Sequence, residues 1–172
     1  MRRSVYFLTM VAMLAIPAGM SAKPVRSTSE SVRRELAMLP RYGVFDTLAY
    51  QIDGGVVTLT GQVTEPVVQA DAEAAVRRVD GVTKVIDKIE VLPLSPFDNR
   101  IRLAAYRAVY GAPSLSARYG LGAVPAIRII VKNGRVRLEG VVANEADRVV
   151  AGMRANSVAG AFEVQNELTV AR

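Results

Sequence analysis

Any chemistry in this chain has to be done without histidine or cysteine, because its 172 residues contain neither. That removes the usual metal ligands, the commonest general base and the thiol nucleophile. The carboxylates give no pairing either. Asp71 and Glu73 lie two apart on one predicted helix, so they point to different sides. The reading is therefore of a non-enzyme with no catalytic residue, metal site or cofactor. What remains is aromatic, aliphatic and basic: Tyr110, Leu115, Arg118, Tyr119 and Leu121, with Arg128 shortly after. Tyr and Leu beside Arg suit a membrane interface, with rings at headgroup depth and guanidinium on phosphate. Arg135, Arg137, Arg148 and Arg154 would widen such a positive face. The same residues also suit a loop folded over its own domain, with arginines on a solvated face.

The elements that must position these residues come from an internal repeat. Gly55, Val57, Leu59, Gly61 and Val63 recur as Gly134, Val136, Leu138, Gly140 and Val142, at an offset of 79 residues. The offset holds without a gap from Gly55 to Val91. Two copies predict a tandem of small domains.

In the first copy, Ser27 and Glu30 have capping-box spacing before Val32, Leu36 and Leu39. Leu48, Tyr50 and Ile52 alternate as a strand does, Asp53-Gly54-Gly55 turns the chain, and Val57, Leu59 and Val63 alternate again. Thr64 is the expected N-cap of a helix running to about Arg78, with Val68, Ala72, Ala75, Val76 and Val79 as its core stripe. Gly81 stops that helix, and Val85, Ile89 and Val91 form a last strand with Ile86, Lys88 and Glu90 on its other face. The second copy predicts a helix near 99–110, a strand at 127–131, the Asn133-Gly134 turn, and a strand at 136–142. A helix at 145–157, a stop at Gly160 and a strand at 163–170 follow. The fold class is α+β: two α-β-β-α-β domains, each a three-stranded sheet with two helices on one face. Gly55, Gly61, Gly81, Gly134, Gly140 and Gly160 are the expected turn and cap glycines.

The copies differ where chemistry was sought. The first helices align at an offset of 69, so ten extra residues fall within 111–125. Insertions of this length in a compact domain are often functional or mobile. A second difference lies on the helix at 145–157. Ala151, Ala155 and Val158 occupy the core arc of the first copy, while Val149, Val150 and Met153, with Arg154 beside them, form a separate arc. Either the helix is rotated to bury this larger arc, or the arc meets the other domain, a partner or lipid. Asn166, on the inward phase of the last strand, is expected to be a satisfied core amide.

Charge follows the same asymmetry. Residues 23–94 carry 9 Lys/Arg against 10 Asp/Glu, whereas residues 95–172 carry 11 against 6. At the N-terminus, Arg2 and Arg3 precede an apolar run of 12 residues, 5–16, broken only by Thr9. Met20-Ser21-Ala22 then offers small residues to a signal peptidase. The run is shorter than the roughly 20 residues a spanning helix needs, so 1–22 reads as a cleaved signal peptide and the mature chain as lacking a transmembrane segment. The segment 23–29 is a flexible tether, 30–92 the first domain, 93–98 a linker, and 99–172 the second domain with its inserted loop 111–125. An exported basic domain is expected to meet an anionic phospholipid surface or envelope proteins. Nucleic acid is not an expected partner.

The repeat resembles the BON domain family (bacterial osmotically inducible and nodulation). The resemblance rests on the strand pair ending in Gly61, the helix after Thr64, Val79-x-Gly81-Val82-x-x-Val85 and Ile89-x-Val91. Gly140, Val158, Gly160, Val164, Asn166, Leu168 and Val170 stand at those positions in the second copy. It implies a periplasmic protein of the envelope-stress or osmotic-stress type. It further implies peripheral contact of the second domain with anionic phospholipid or, alternatively, a soluble chaperone or protein-interaction module.

Overall fold

The computed structural model describes residues 27–122 and 124–171. The signal-peptide reading and most of the tether lie outside them. The first domain opens with α1 (Thr28–Ala37), held at its start by the Ser27–Glu30 capping box and buried through Val32 and Leu36. β1 (Thr47–Asp53) and β2 (Val56–Val63) pair antiparallel through a turn in which Gly54 and Gly55 take φ of 53° and 86°. After α2 (Pro66–Arg77), β3 (Lys84–Val91) lies parallel to β2, giving the order β1-β2-β3. Both helices cover one sheet face. Val32, Val57, Leu59, Val63, Val68, Ala72 and Val76 are fully enclosed between them.

The second domain repeats this plan with α3 (Pro96–Tyr110), β4 (Ile127–Lys132), β5 (Arg135–Val142), α5 (Glu145–Asn156) and β6 (Glu163–Asn166). It adds a helix, α4 (Pro113–Tyr119), between α3 and β4, and a short strand, β7 (Thr169–Val170), beside β5. Its core centres on Ile127, Ile129, Val131, Val136 and Leu138 against Ala105, Val109, Ala151 and Ala155.

Why the repeated motif needs glycine is a matter of close approach. At Gly61, with φ of 128°, an added Cβ would sit 2.1 Å from the Thr47 carbonyl oxygen. At Gly140, with φ of 130°, it would sit 2.0 Å from that of Ala126. Gly55, Gly81, Gly134 and Gly160 also have positive φ.

Several sequence expectations are corrected. Thr64 is not a helix cap; its hydroxyl and its N–H both donate to the buried Asp46 carboxylate, and Glu65 precedes α2 without capping it. Pro96 does not prolong the linker. It opens α3, where its missing N–H costs nothing, with Ser95 as cap. The insertion is not an open loop, since Pro113 starts α4 within it. The last strand is broken at Glu167–Leu168, where the Leu168 N–H turns to the Asn166 side chain. Asn166 is satisfied on its other side by donating to the Arg148 carbonyl.

The domains touch along β4. Its outer edge would otherwise present unpaired backbone groups, a template for another chain. Here the Tyr110 hydroxyl donates to the Ile127 carbonyl and accepts from the Ile127 N–H, at 2.7 and 3.1 Å. The Ile129 N–H donates to the Val44 carbonyl of the first domain, and Arg102 donates to the Val131 carbonyl. Val44 and Phe45 thereby join the second core. The helix-free sheet faces add Lys132 to Glu90, Arg137 to Gln62 and Thr47 to Glu139.

Candidate membrane interface

Of the residues expected at a membrane, two reach solvent freely. Leu115 is fully buried beneath α4. Tyr119 is buried as well, its hydroxyl donating to Asp147 at 2.6 Å and accepting from the Ala143 N–H at 2.8 Å. Tyr110 is half-buried on the β4 edge, and burial pushes its phenol up to about 12. Arg128 lies 4.7 Å above the Tyr42 ring and donates to the Gly43 carbonyl, so it joins the domains. Arg118 is exposed but bound to Asp147 at 2.7 Å. Leu121, at 85% exposure, stands alone. The expected Tyr/Leu/Arg cluster is therefore overturned. Ten added residues in a small domain bring their own apolar side chains, and these close over the core.

The lock that holds the insertion is Asp147, at the repeat position of Val68. The second domain has exchanged a core valine for a carboxylate that receives Tyr119, Arg118 and the Asn144 amide. The Tyr119 hydroxyl, the Arg118 guanidinium and the Asn144 amide hold its carboxyl below the usual range, against the pull of burial. The Asp147 N–H closes the local turn by donating to the Asn144 cap.

The arc on α5 behaves differently. The helix is not rotated: Ala151 and Ala155 keep the core phase, with Val158 just beyond the helix in register, and Val150 is half-buried against them. Val149 and Met153 stay outside, at 46% and 67% exposure, with Arg154 exposed beside them. On α3, the residues opposite the buried Ile101, Ala105 and Val109 are Arg100, Leu103 and Arg107, with Tyr106 at the flank. Leu103 and Tyr106 are 41% and 39% exposed.

Charge pairing separates these surfaces. Arg118, Lys132, Arg135, Arg137 and Arg148 of the second domain each face a carboxylate. Arg102 and Arg128 are bound to backbone carbonyls. Among the described residues, Arg100, Arg107 and Arg154 have no ion-pair partner, and all three are exposed on the helices. No group of three or more potential metal ligands occurs among the described residues, and no helix there is long and apolar enough to cross a membrane.

A family model for the BON domain matches residues 27–93 and 115–172, more than half of the chain. The chain belongs to the BON domain family. BON domains are binding-type modules of the envelope linked to phospholipid, and this chain carries two. No curated protein matches the sequence. Similar solved structures include CdsD, a structural protein of the type III secretion system of Chlamydia trachomatis. It is 10% identical over 83% of this chain and 91% of that one, with a TM-score of 0.33. The C-terminal domain of the same protein is 12% identical over 83% and 96%, with a TM-score of 0.29. Likeness at that level carries no argument about function.

Four buried charged residues were not singled out from the sequence: Asp46, Asp98 and Arg102 as well as Asp147. Two carried a readable signal. Asp147 breaks the repeat against Val68. Asp98 stands three residues after the Ser95 cap of the second BON domain, and its carboxylate accepts the Asn133 and Gly134 N–H groups of the hairpin turn. Arg100, Leu103 and Arg107, at i, i+3 and i+7, were legible as a helix face but were not read as one.

Proposed function

We propose that this protein is a non-enzymatic, periplasmic envelope-maintenance or osmotic-stress module whose second BON domain rests on anionic phospholipid. The contact is the outer face of its helix layer: Arg100, Leu103 and Arg107 on α3, with Val149, Met153 and Arg154 on α5. One observation carries the reading. The unpaired cations of the basic domain lie on the same helices as the exposed Leu103, Val149 and Met153, whereas its sheet-side cations are neutralised. Cations near an anionic surface contribute about 1 kcal/mol each, and that contribution fades over a Debye length. Exposed Leu, Val and Met add apolar contact at the interface.

Co-sedimentation with vesicles tests this. The protein is expected to bind phosphatidylglycerol-containing vesicles in preference to phosphatidylcholine, less so at high salt, and Arg100→Glu/Arg107→Glu should weaken binding at least about ten-fold. Equal binding to both vesicles, or undiminished binding by that variant, contradicts the proposal. The exposure of Val149 and Met153 also favours a second reading, a protein-interaction or chaperone module. It predicts that Met153→Glu abolishes suppression of client aggregation in the absence of lipid.

A further inference from the structure

A cavity of about 510 Å³ lies where the two domains and their connector meet. Phe45 and Thr64 come from the first domain, Leu94 and Pro96 from the connector and the start of α3, and Asn99 and Arg102 from the next turns of α3. Its size is within the roughly 300–1,000 Å³ of small-molecule sites. Its wall is mixed in the manner of such sites: Phe45, Leu94 and Pro96 are apolar, while Thr64, Asn99 and Arg102 offer hydrogen bonds.

Arg102 sets the chemistry. It is only 5% exposed, yet its one hydrogen bond among the described residues runs from Nη2 to the Val131 carbonyl at 2.8 Å. Its buried Nε has no partner, and no carboxylate lies within ion-pair distance. The two nearby buried carboxylates are already occupied. Asp46 receives the Gly43 N–H and both donors of Thr64, and Asp98 receives the Asn133 and Gly134 N–H groups. A guanidinium carries five donors, and a buried cation is costly unless acceptors meet it. The chain supplies Arg102 with one.

We infer that this cavity binds a small aliphatic monocarboxylate, with its carboxylate on Arg102 and Asn99 and its hydrocarbon against Phe45, Leu94 and Pro96. A single charge fits better than two. The charges of Asp98 and Asp46 already act on Arg102, and Glu65, held by Arg41 at 2.9 Å, is on the cavity wall. A second negative group would face them. Two sources carry the required group: a free short-chain fatty acid and the apolar C-terminal residue of a peptide.

The test is calorimetric titration of the whole protein with octanoate, N-acetyl-leucine, octanol and octyltrimethylammonium, each below its aggregation concentration. Saturable one-to-one binding is expected for octanoate, for N-acetyl-leucine or for both, and the preferred one identifies the source. Octanol and the ammonium should bind at least ten-fold more weakly. Arg102→Met should remove carboxylate binding, with circular dichroism checking that the secondary-structure content and a cooperative thermal transition are kept. Leu94→Asp, on a rim residue 95% exposed, leaves the fold alone and should weaken binding at least ten-fold through lost apolar contact and repulsion. Failure of both carboxylates to bind overturns the proposal, as does equal binding of octanol or undiminished binding by Leu94→Asp. Arg100→Glu/Arg107→Glu should leave octanoate binding unchanged, which separates this site from the vesicle-binding face.

Discussion

Val68 in α2 of the first domain and Asp147 in α5 of the second stand at the same position of corresponding helices, and both are buried. Around Val68 the helix meets a plain apolar core. Around Asp147 the domain has built α4, brought Tyr119 and Arg118 to the carboxylate, and closed Leu115 beneath them. The insertion is thus the partner of one substitution and not a free functional loop. Difference between repeats marks where a domain has been rebuilt, and rebuilding can serve packing before it serves binding. The proposed lipid contact lies elsewhere, on the outer faces of α3 and α5 that carry Arg100, Arg107 and Arg154.

The sharpest break of this comparison starts from what the copies share. Gly61→Ala and Gly140→Ala should each destabilise their domain by about 3 kcal/mol or more, measured by chemical denaturation. Both force a Cβ onto a neighbouring carbonyl at positive φ, so tolerance at one site alone would break the equivalence of the two hairpins. Next comes the insertion. Leu115→Ala should cost about 3 kcal/mol as a core truncation, whereas Leu121→Ala, on an exposed side chain, should stay within about 0.5 kcal/mol. Equal costs would return the insertion to the status of an open loop.

The lock itself is probed by pairs. Asp147→Val alone leaves the Tyr119 O–H without its acceptor, while the oxygen still receives the Ala143 N–H, and should lower the melting temperature. Adding Tyr119→Phe should recover part of the loss, because removing both partners is cheaper than removing one. A smaller effect is pH-dependent. The Asp147 carboxyl is held below its unfolded value by the Tyr119 hydroxyl first and by Arg118 as well. Its stabilisation is therefore complete above the unfolded pKa of about 3.9 and is lost as pH falls through the lower folded value. Asp147→Asn should be less stable than the parent at pH 7, and the gap in melting temperature should narrow as the pH is lowered past about 4.

Much of this fold was legible from period and punctuation. The alternation in β1 and β2, the stripe Val68, Ala72, Val76 and the two glycine turns each follow from local geometry, and the 79-residue offset doubled every signal. The surface was harder to read. Tyr119 and Leu115 have the composition of an interfacial loop, and only the three-dimensional closeness of residue 147 turns them inward. Pairing of cations across strands and domains, as in Lys132 with Glu90, likewise depends on register between distant segments. A count of +5 for the second half could not say which charges remain free. The α3 face is written locally, in the i, i+3, i+7 spacing of Arg100, Leu103 and Arg107.

The most direct measurement of the central claim is amide NMR in anionic bicelles carrying a paramagnetic lipid. Broadening should concentrate on the α3 and α5 amides around Arg100, Leu103, Arg107, Val149 and Met153, and should spare α4 and the sheet. Broadening centred on residues 113–121, or spread evenly over both domains, would contradict the account.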